Sequence, residues 1–237
     1  MIMFNNITKR FGGVTAVNNI SFKIRKNEYF GLLGPNGAGK TTIVRMLLGF
    51  SNPTQGTLTI NGIPAGTAVS RKGVGYLAEN PRIPAGLSGK EYLRRHTALI
   101  GLSRNDAVKE IDRVLEMVGM SGKEKQKAST YSKGMNQRIG LASAMLGRPG
   151  ILILDEPVSG LDPIGIRDFR EILEKLKKDN VTLILNSHLL SEVEKTCDTI
   201  AIIDNGDIII KGPVDKIVKE KETLEDVFVR LIEERNE

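Results

Sequence analysis

The residues with the most specific chemistry form a glycine-rich loop that ends in a lysine and a threonine. The loop consists of Gly34, Pro35, Asn36, Gly37, Ala38, Gly39, Lys40 and Thr41, followed by Thr42. It fits the pattern G-x-x-x-x-G-K-[ST], in which backbone N–H groups surround phosphates, the lysine reaches the outer phosphates and the hydroxyl contacts Mg²⁺. The loop therefore predicts a binding site for a nucleoside triphosphate.

The segments around this loop have the order that such a site requires. Glu28 to Leu33 are short and apolar enough for a buried strand, and Thr42 to Leu48 have the pattern of a helix that Gly49 ends. The N-terminus of that helix turns its positive dipole end toward the loop, which favours an anion there. A chance match to the pattern would lack this order of strand, loop and helix.

A second group of candidate residues, Asp155 and Glu156, follows the apolar stretch from Gly150 to Leu154. Such a run of β-forming residues is typical of a buried parallel strand. Ligands of open α/β sheets bind beyond the carboxyl ends of the strands, so both acids are expected beside the phosphate loop. The alternative is that the two acids only cap a helix, but the adjacent Pro157 and the matching loop favour the functional interpretation.

Two further candidates each have a competing structural interpretation. His188 follows the apolar strand Val181 to Leu185, and although a lone histidine is more often structural, its place at the end of a core strand makes it a candidate. Phe11 precedes a Gly12-Gly13 turn, where its ring could stack on a purine base. From the residue alone, a core position for Phe11 is favoured over base stacking.

The patterning along the rest of the chain predicts an α/β fold. Residues 1 to 24 alternate between polar and apolar, as in a half-exposed antiparallel sheet, and strands at 57–60 and 73–77 continue it. Residues 82 to 147 change to helical periodicity. We therefore expect a core with a mainly parallel sheet, an antiparallel N-terminal β sub-domain and an inserted helical sub-domain at about 82–147. All 237 residues are expected to form one domain.

Local signals mark the ends of several elements. Ser88 to Glu91 form a capping box, Asp162-Pro163 begin a helix, and Ser191 with Glu194 fit the S-x-x-E cap of another. Asn205-Gly206, between two apolar runs, predicts a hairpin. A C-terminal amphipathic helix is expected at 222–234, and a packing role and a partner contact are equally open for it.

Composition narrows the class of protein. Lys and Arg number 34 against 28 Asp and Glu, and because these charges are dispersed, solvated faces are favoured over a nucleic-acid partner. The single cysteine, Cys197, fits a small buried residue in a reducing cytosol. No apolar run approaches the roughly 18 residues of a membrane span, and a secretion signal is lacking. A cytoplasmic chain is expected, with any membrane part on another polypeptide.

The ordered set of motifs resembles the ATP-binding-cassette (ABC) ATPase family, and this resemblance covers essentially the whole chain. The matching segments are Gly34–Thr41 (Walker A), Tyr131–Arg138 (the signature sequence), Ile151–Glu156 (Walker B), Ser159–Asp162 (the D-loop) and His188 (the switch histidine). Unrelated P-loop kinases and GTPases lack the signature segment.

The chain departs from the family pattern in two places. The usual signature Leu-Ser-Gly-Gly-Gln keeps only Ser132 and Gly134 here, a form that resembles stand-alone ATPases of drug, lipid, bacteriocin or polysaccharide exporters. Glu79 stands where the family has the glutamine of its Q-loop. A carboxylate can reach a Mg²⁺-bound water but adds negative charge near a triphosphate. Metal binding, coupling to a membrane partner and an exposed loop acid all stay open for Glu79.

The resemblance implies a homodimer or heterodimer of ATPase subunits with shared ATP sites. In this arrangement, ATP on the loop of one subunit is capped by Ser132 and Gly134 of the other, and Asp162 links the two sites. The resemblance further implies the remaining roles: phosphate binding by Lys40, Mg²⁺ binding by Thr41 and Asp155 directly or through water, polarisation of the attacking water by Glu156, and a γ-phosphate contact from His188.

Two functions of different classes fit this resemblance. The first is the ATP-hydrolysing subunit of a membrane exporter, which lies on the cytoplasmic face of the cell membrane and works with an integral membrane permease on a separate chain. The alternative is a soluble ABC ATPase that drives an assembly complex, as in iron–sulfur cluster biogenesis. A chromosome or DNA-repair ATPase is disfavoured, because the segment between Glu79 and Ser132 is too short for a long coiled coil.

Overall fold

The computed structural model describes residues 1–236. The chain divides into two compact units, which we call the first unit (Met1–Lys72 together with the residues from Thr182 onward) and the second unit (Gly73–Val181). Within residues 1–236, no helix combines the length and the apolarity needed to cross a membrane.

The strands and helices have the following bounds. The strands are β1 (Ile2–Phe11), β2 (Val14–Ile24), β3 (Tyr29–Leu33), β4 (Gln55–Ile60), β5 (Ile63–Pro64), β6 (Val74–Leu77), β7 (Ile151–Asp155), β8 (Thr182–Asn186), β9 (Thr199–Asp204) and β10 (Asp207–Pro213). The α-helices are α1 (Lys40–Leu48), α2 (Ala68–Arg71), α3 (Gly89–Leu99), α4 (Arg104–Met117), α5 (Lys133–Ala144), α6 (Pro163–Lys178), α7 (Leu190–Thr196), α8 (Val214–Ile217) and α9 (Leu224–Asn236).

The first unit contains an antiparallel sheet and a set of parallel strands. In the antiparallel sheet, β1 lies between β2 and β4, with Phe4 paired to both Phe22 and Leu58. In the parallel set, β3 lies between β8 and β9, and Gly31 pairs with Leu185 and Ile200. All five residues of β3 are buried, as expected for a central strand covered on both faces.

The second unit combines two parallel strands with helices. Strands β6 and β7 pair in parallel from Val74 with Ile151 to Leu77 with Leu154, so the expectation that the strand at 73–77 continues the antiparallel sheet is wrong. Helices α3, α4 and α5 lie between these strands in sequence and bury one face each, which includes Leu93, Ile111 and Ile139. The α/β fold class is thus confirmed, with antiparallel and parallel strands and a helical segment. The single-domain assignment and the 82–147 limits of the helical sub-domain stay predictions.

Most local end signals are confirmed. The hydroxyl of Ser88 accepts the Glu91 N–H while the Glu91 carboxylate accepts the Ser88 N–H, so the capping box is complete. Asp162 caps α6 ahead of Pro163. The predicted cap of α7 is wrong, because Ser191 lies inside that helix and Glu194 instead accepts the backbone N–H of Leu224, at the start of the C-terminal helix. That helix, α9, begins and ends two residues later than predicted.

Candidate active site

The phosphate loop lies in the first unit and is pressed against neighbouring backbone. Gly34 and Gly39 both have positive φ, of 157° and 108°. A Cβ on Gly34 would collide with the carbonyl oxygen of Ile203 in β9, and one on Gly39 with that of Ala16 in β2. Glycine is therefore required at both positions by conformation and by space. The backbone of the loop is therefore packed closely against strands β9 and β2.

Lys40 begins α1 and directs its charge back over the loop. Its side chain is buried, and Nζ donates hydrogen bonds to the carbonyl oxygens of Gly34 at 2.6 Å and Pro35 at 2.9 Å. Gly37, at the exposed side of the loop, has φ +84°, and a Cβ there would meet none of the described residues within 4 Å. A fixed ammonium, the first turn of α1 and an open glycine corner together suit a triphosphate.

His188 and Phe11 both belong to the first unit. His188 is exposed two residues beyond the end of β8, and Leu189 donates its N–H to the hydroxyl of Ser187 at 3.1 Å in the turn that leads into α7. Phe11 ends β1 and is 49% exposed, so its expected core position is wrong. Nζ of Lys9 lies over the Phe11 ring, 4.8 Å from its centroid. Phe11 is exposed because it is the last residue of β1, at a hairpin turn.

Asp155 and Glu156 end β7 in the second unit. Every residue of β7 is buried, and Asp155 keeps only 9% of its surface exposed. Glu156 adopts φ +48°, a left-handed conformation that is costly for a glutamate and is concentrated at functional sites. Leu77 of β6 pairs with Leu154 of β7, so Glu79 and Glu156 each lie two residues beyond a paired position at the same edge. The second unit thus gathers three carboxylates at one edge.

The signature segment and the D-loop lie together in the second unit. The hydroxyl of Ser132 caps α5 by accepting the Met135 N–H at 3.2 Å, and its own O–H remains a donor for an anion. Leu161 reaches within 3.5 Å of the position that a Cβ on Gly134 would occupy. The side chain of Lys133 lies over Gly160, where a Cβ would collide with it. Ser132 and Gly134 are therefore presented beside the D-loop at a helix N-terminus.

The replacement of the usual signature leucine by Tyr131 has a structural reason. The phenol oxygen of Tyr131 accepts the N–H of Gly89, at the start of α3, at 3.1 Å and donates to the carbonyl of Lys123 at 3.3 Å. Burial raises the pKa of the Tyr131 phenol above its ordinary value, against the opposing effect of the Gly89 hydrogen bond. Tyrosine thus joins the signature segment to α3.

Helix α5 connects the signature segment to the strand that leads to Glu79. A Cβ on Gly140 would lie 2.8 Å from both Leu77 and Pro81, which flank Glu79 in sequence. Ala144, at the end of α5, also contacts β6, because a Cβ on Gly75 would collide with the carbonyl of Ala144. The backbones of α5 and β6 therefore lie in direct contact, and α5 begins next to Ser132.

The remaining candidates are Asp162 and the side chains that could bind Mg²⁺. The Asp162 carboxylate accepts the N–H of Gly165 at 2.7 Å, so this side chain has a capping role whatever else it does. Over the described residues, no cluster of three or more His, Cys, Asp or Glu side chains is arranged to hold a metal. Mg²⁺ in nucleotide sites keeps several waters and takes one or two protein ligands plus phosphate oxygens. The hydroxyl of Thr41 in the first unit and, separately, the carboxylate of Asp155 in the second unit are oxygen donors of the kind that Mg²⁺ takes.

Sequence reasoning missed one contact to the phosphate loop. Gly206, predicted only as part of a hairpin turn, donates its backbone N–H to the carbonyl oxygen of Ala38 at 3.0 Å. The Asn-Gly dipeptide marks the turn, but a backbone contact between positions so far apart in the chain leaves no signal in a single sequence.

Comparison with known proteins decides the family. The family model described as "ABC transporter" matches residues 17–159, which is more than half of the chain. The chain belongs to the ABC transporter ATP-binding family. It is therefore an ATP-binding protein and an ATPase, and the phosphate loop, the signature segment and the Walker B acids all fall inside the matched region.

Curated relatives support this membership. The ABC ATPase described here is 42% identical to YhcH of Bacillus subtilis, an uncharacterized ABC transporter ATP-binding protein, over 94% of this chain and 73% of the relative. It is 38% identical to the bacitracin transport ATP-binding protein BcrA of Bacillus licheniformis over 92% of this chain and 72% of BcrA. It is 36% identical to the lantibiotic transport ATP-binding protein SrtF of Streptococcus pyogenes over 96% of both chains.

Solved structures confirm the fold of this ABC ATPase. An ATP-binding subunit of an ABC transporter superposes with a TM-score of 0.88 at 26% identity, over 98% of this chain and 99% of that one. The ABC cassette MJ0796, a dimer bound to ADP and Pi, superposes with a TM-score of 0.82 at 21% identity, over 90% of this chain and 99% of that one. At that identity the second likeness concerns the fold alone.

Proposed function

We propose that this ABC ATPase is the ATP-hydrolysing subunit of a membrane exporter and works with an integral membrane permease on a separate chain, at the cytoplasmic face of the membrane. The observation that carries this proposal is the 36% identity to the lantibiotic transport protein SrtF over 96% of both chains. The 38% identity to the bacitracin transport protein BcrA points in the same direction. The two names specify transport of bacitracin and of a lantibiotic, which makes these compounds the first cargo to test.

In the proposed mechanism, the first unit binds the phosphates. Lys40 and the amides of the loop hold the β- and γ-phosphates, and the existing hydrogen bonds from Lys40 Nζ to Gly34 and Pro35 keep the ammonium at the loop before ATP arrives. His188 contacts the γ-phosphate. Phe11, with its exposed ring, stacks on the adenine. Lys40 and the loop are held in place before ATP binds, so their contact with the phosphates requires little reorganisation.

The second unit supplies the groups for hydrolysis. Glu156 accepts a proton from the attacking water, and its half-buried, left-handed position fixes where that carboxylate points. Thr41 of the first unit and Asp155 would hold Mg²⁺, directly or through water. The ion would neutralise charge on the phosphates as they separate. Phosphoryl transfer depends mostly on positioning and electrostatics, which suits side chains at the ends of rigid strands.

Shared sites would couple hydrolysis to movement. Ser132 and Gly134 of one subunit cap the ATP bound to the loop of the other, because the Ser132 hydroxyl and the N-terminus of α5 both favour an anion. Asp162 connects the two sites. ATP binding would close such a dimer and hydrolysis would open it, and the permease would follow this cycle.

Co-purification of this ATPase with the permease whose gene lies nearest to its own gene tests the proposal. The two proteins are expressed together, extracted in detergent and captured through a tag on this chain, and ATPase activity is then measured in lipid vesicles with and without the peptide cargo. Co-purification and stimulation by the permease are expected. Capture of a soluble assembly complex with no membrane protein would instead favour the alternative function in assembly.

The Glu79 position gives a specific prediction for coupling. We expect Glu79→Gln to leave basal hydrolysis close to that of the wild type, because glutamine offers an oxygen at the same reach, but to change the stimulation by the permease. The physical route is the contact of α5 with Leu77 and Pro81 on both sides of Glu79. Steady-state phosphate release, measured with and without the permease, separates the two effects.

A matched control for this prediction is Glu116→Gln in α4, another glutamate of the second unit, which lies outside the Glu79 loop. It is expected to change neither rate. A large loss of basal hydrolysis in Glu79→Gln without the permease would contradict the coupling role and would show that the carboxylate itself takes part in catalysis.

A further inference from the structure

The turn between β9 and β10 is fastened to the back of the phosphate loop. Gly206 donates its N–H to the carbonyl oxygen of Ala38 at 3.0 Å, and its own carbonyl accepts the N–H of Asn18 at 2.9 Å. Gly206 has φ +84°, and a Cβ there would lie 3.2 Å from the backbone of Ala16 and Val17. Turn, strand β2 and phosphate loop are thus in backbone contact, and a shift of the turn displaces the loop.

The same turn carries two carboxylates next to Gly206. Asp204 is 6% exposed and accepts a hydrogen bond from the side-chain amide of Asn205 at 2.9 Å. Asp207 accepts one from the side-chain amide of Asn18 at 2.9 Å. Two carboxylates are therefore close in sequence to Gly206, the residue whose N–H is bonded to the phosphate loop. Negative charge near an anion site weakens anion binding unless a cation balances it.

Arg235, in the last turn of α9, supplies that cation. Its Nη2 donates to Asp207 at 2.5 Å, and its Nε lies 3.6 Å from Asp204. A planar guanidinium with several donors bridges two carboxylates in a way that a single ammonium group cannot. The Arg235 side chain keeps 32% of its surface exposed, so the network is only partly screened by water.

The N-terminal end of helix α9, opposite Arg235, is anchored by hydrogen bonds and by buried side chains. Glu194 of α7 accepts the N–H of Leu224 at 2.8 Å, and Leu224 and Val227 are buried. Thr223 and Asp226 form reciprocal capping bonds at the same end. At 1.5 Å per residue, the helix carries Arg235 about 16 Å from this anchor. The contact with the turn is therefore made by a rigid helix.

We propose that Arg235 is a positioning residue for ATP binding: it holds the β9–β10 turn against the phosphate loop and balances the charge of Asp204 and Asp207. This inference rests on the proposed role of the loop in phosphate binding. The sequence left a packing role and a partner contact equally open for the C-terminal helix, and this proposal gives the helix a role inside its own subunit.

The test is a titration of Arg235→Ala with a fluorescent ATP analogue, accompanied by steady-state kinetics. The dissociation constant and KM are expected to rise about 3- to 5-fold, the size of an exposed ion-pair effect, while kcat stays unchanged. High salt should shrink the difference, because it screens the charge of the partly exposed Asp207. Arg235→Lys keeps the charge but loses the planar guanidinium with its several donors. Its dissociation constant should lie between those of Arg235→Ala and the wild type.

Two further variants separate positioning from simple loss of stability. Arg230→Ala removes another arginine of α9, which pairs with Glu222 at 3.4 Å, and should leave affinity unchanged. Adding Asp207→Asn to Arg235→Ala should restore most of the affinity, because asparagine keeps an oxygen for Asn18 and removes the charge. A purely structural role of Arg235 predicts no such rescue. Circular dichroism verifies that each variant is folded.

Several outcomes would overturn the inference: wild-type affinity in Arg235→Ala, an equal loss in Arg230→Ala, or failure of Asp207→Asn to rescue. Lys40→Ala is titrated in parallel. If Lys40→Ala binds nucleotide normally, the loop is not the site and the proposed function fails with this inference. If Lys40→Ala loses binding while Arg235→Ala does not, only the role of Arg235 is refuted.

Discussion

Replacing Glu156 with glutamine is expected to slow ATP hydrolysis by about 10²- to 10⁴-fold, the usual cost of losing a general base. Glutamine keeps the size of the side chain and one oxygen, and it tolerates the same left-handed backbone, but it does not accept the proton. ATP binding should survive, because the phosphates are held by the loop in the first unit. Phosphate release under saturating ATP and titration of a fluorescent analogue measure the two effects separately.

The matched control is Glu171→Gln in α6, another glutamate of the second unit. Its carboxylate is exposed and lies 3.8 Å from Arg167 in a surface pair, so hydrolysis should stay at the wild-type rate. Undiminished hydrolysis in Glu156→Gln would show that this residue is not the base. In that case Asp155 would be the next candidate, as the other acid at the end of β7.

Lys40→Ala is expected to lower the affinity for ATP by about 100-fold or more. Hydrogen bonds from a charged group contribute about 1.5–3 kcal/mol each, and the ammonium is the principal cation of the loop toward two phosphates. The substitution also removes the bonds from Nζ to Gly34 and Pro35, so a loss of about 1–3 kcal/mol in the free energy of unfolding is expected. The fold should persist, since the strands behind the loop keep their backbone contacts.

Calorimetric or fluorescence titration measures the affinity, and circular dichroism during heating measures the stability. Lys72→Ala serves as the control, because Lys72 is an exposed lysine of the same unit outside the loop. Near-normal ATP affinity in a folded Lys40→Ala protein would remove Lys40 from its proposed role.

The parts of the fold that were predictable from sequence are those with local causes. A capping box needs only Ser88 and Glu91, three residues apart, and the Asp162-Pro163 pair begins α6 for an equally local reason. The phosphate loop is recognisable because its glycines, Lys40 and Thr41 have fixed spacing. The strand at 73–77, by contrast, was expected to continue the N-terminal antiparallel sheet, and its parallel pairing with β7, which places Glu79 and Glu156 at one sheet edge, has no local sequence signal.

The parts that escaped prediction depend on contacts between distant positions. Glu194 matched a local capping pattern, yet its carboxylate binds the N–H of Leu224, 30 residues away. The bond from Gly206 to Ala38 and the bridge from Arg235 to the β9–β10 turn have the same character. Phe11 was expected in the core, but the hairpin end leaves it exposed. Individual roles in catalysis stay predictions that the variants above address.

If ATP is bound between two subunits, as proposed, the oligomeric state of Glu156→Gln will depend on the nucleotide. Unhydrolysed ATP should hold the subunits together, because separation would remove the Ser132 and Gly134 donors from the γ-phosphate. Size-exclusion chromatography with light scattering compares this variant with ATP and Mg²⁺, with ADP, and with Ser132→Arg added. We expect twice the mass of one chain in the first case and the mass of a single chain in the other two. A Glu156→Gln protein that binds ATP and remains a single chain would contradict the shared site.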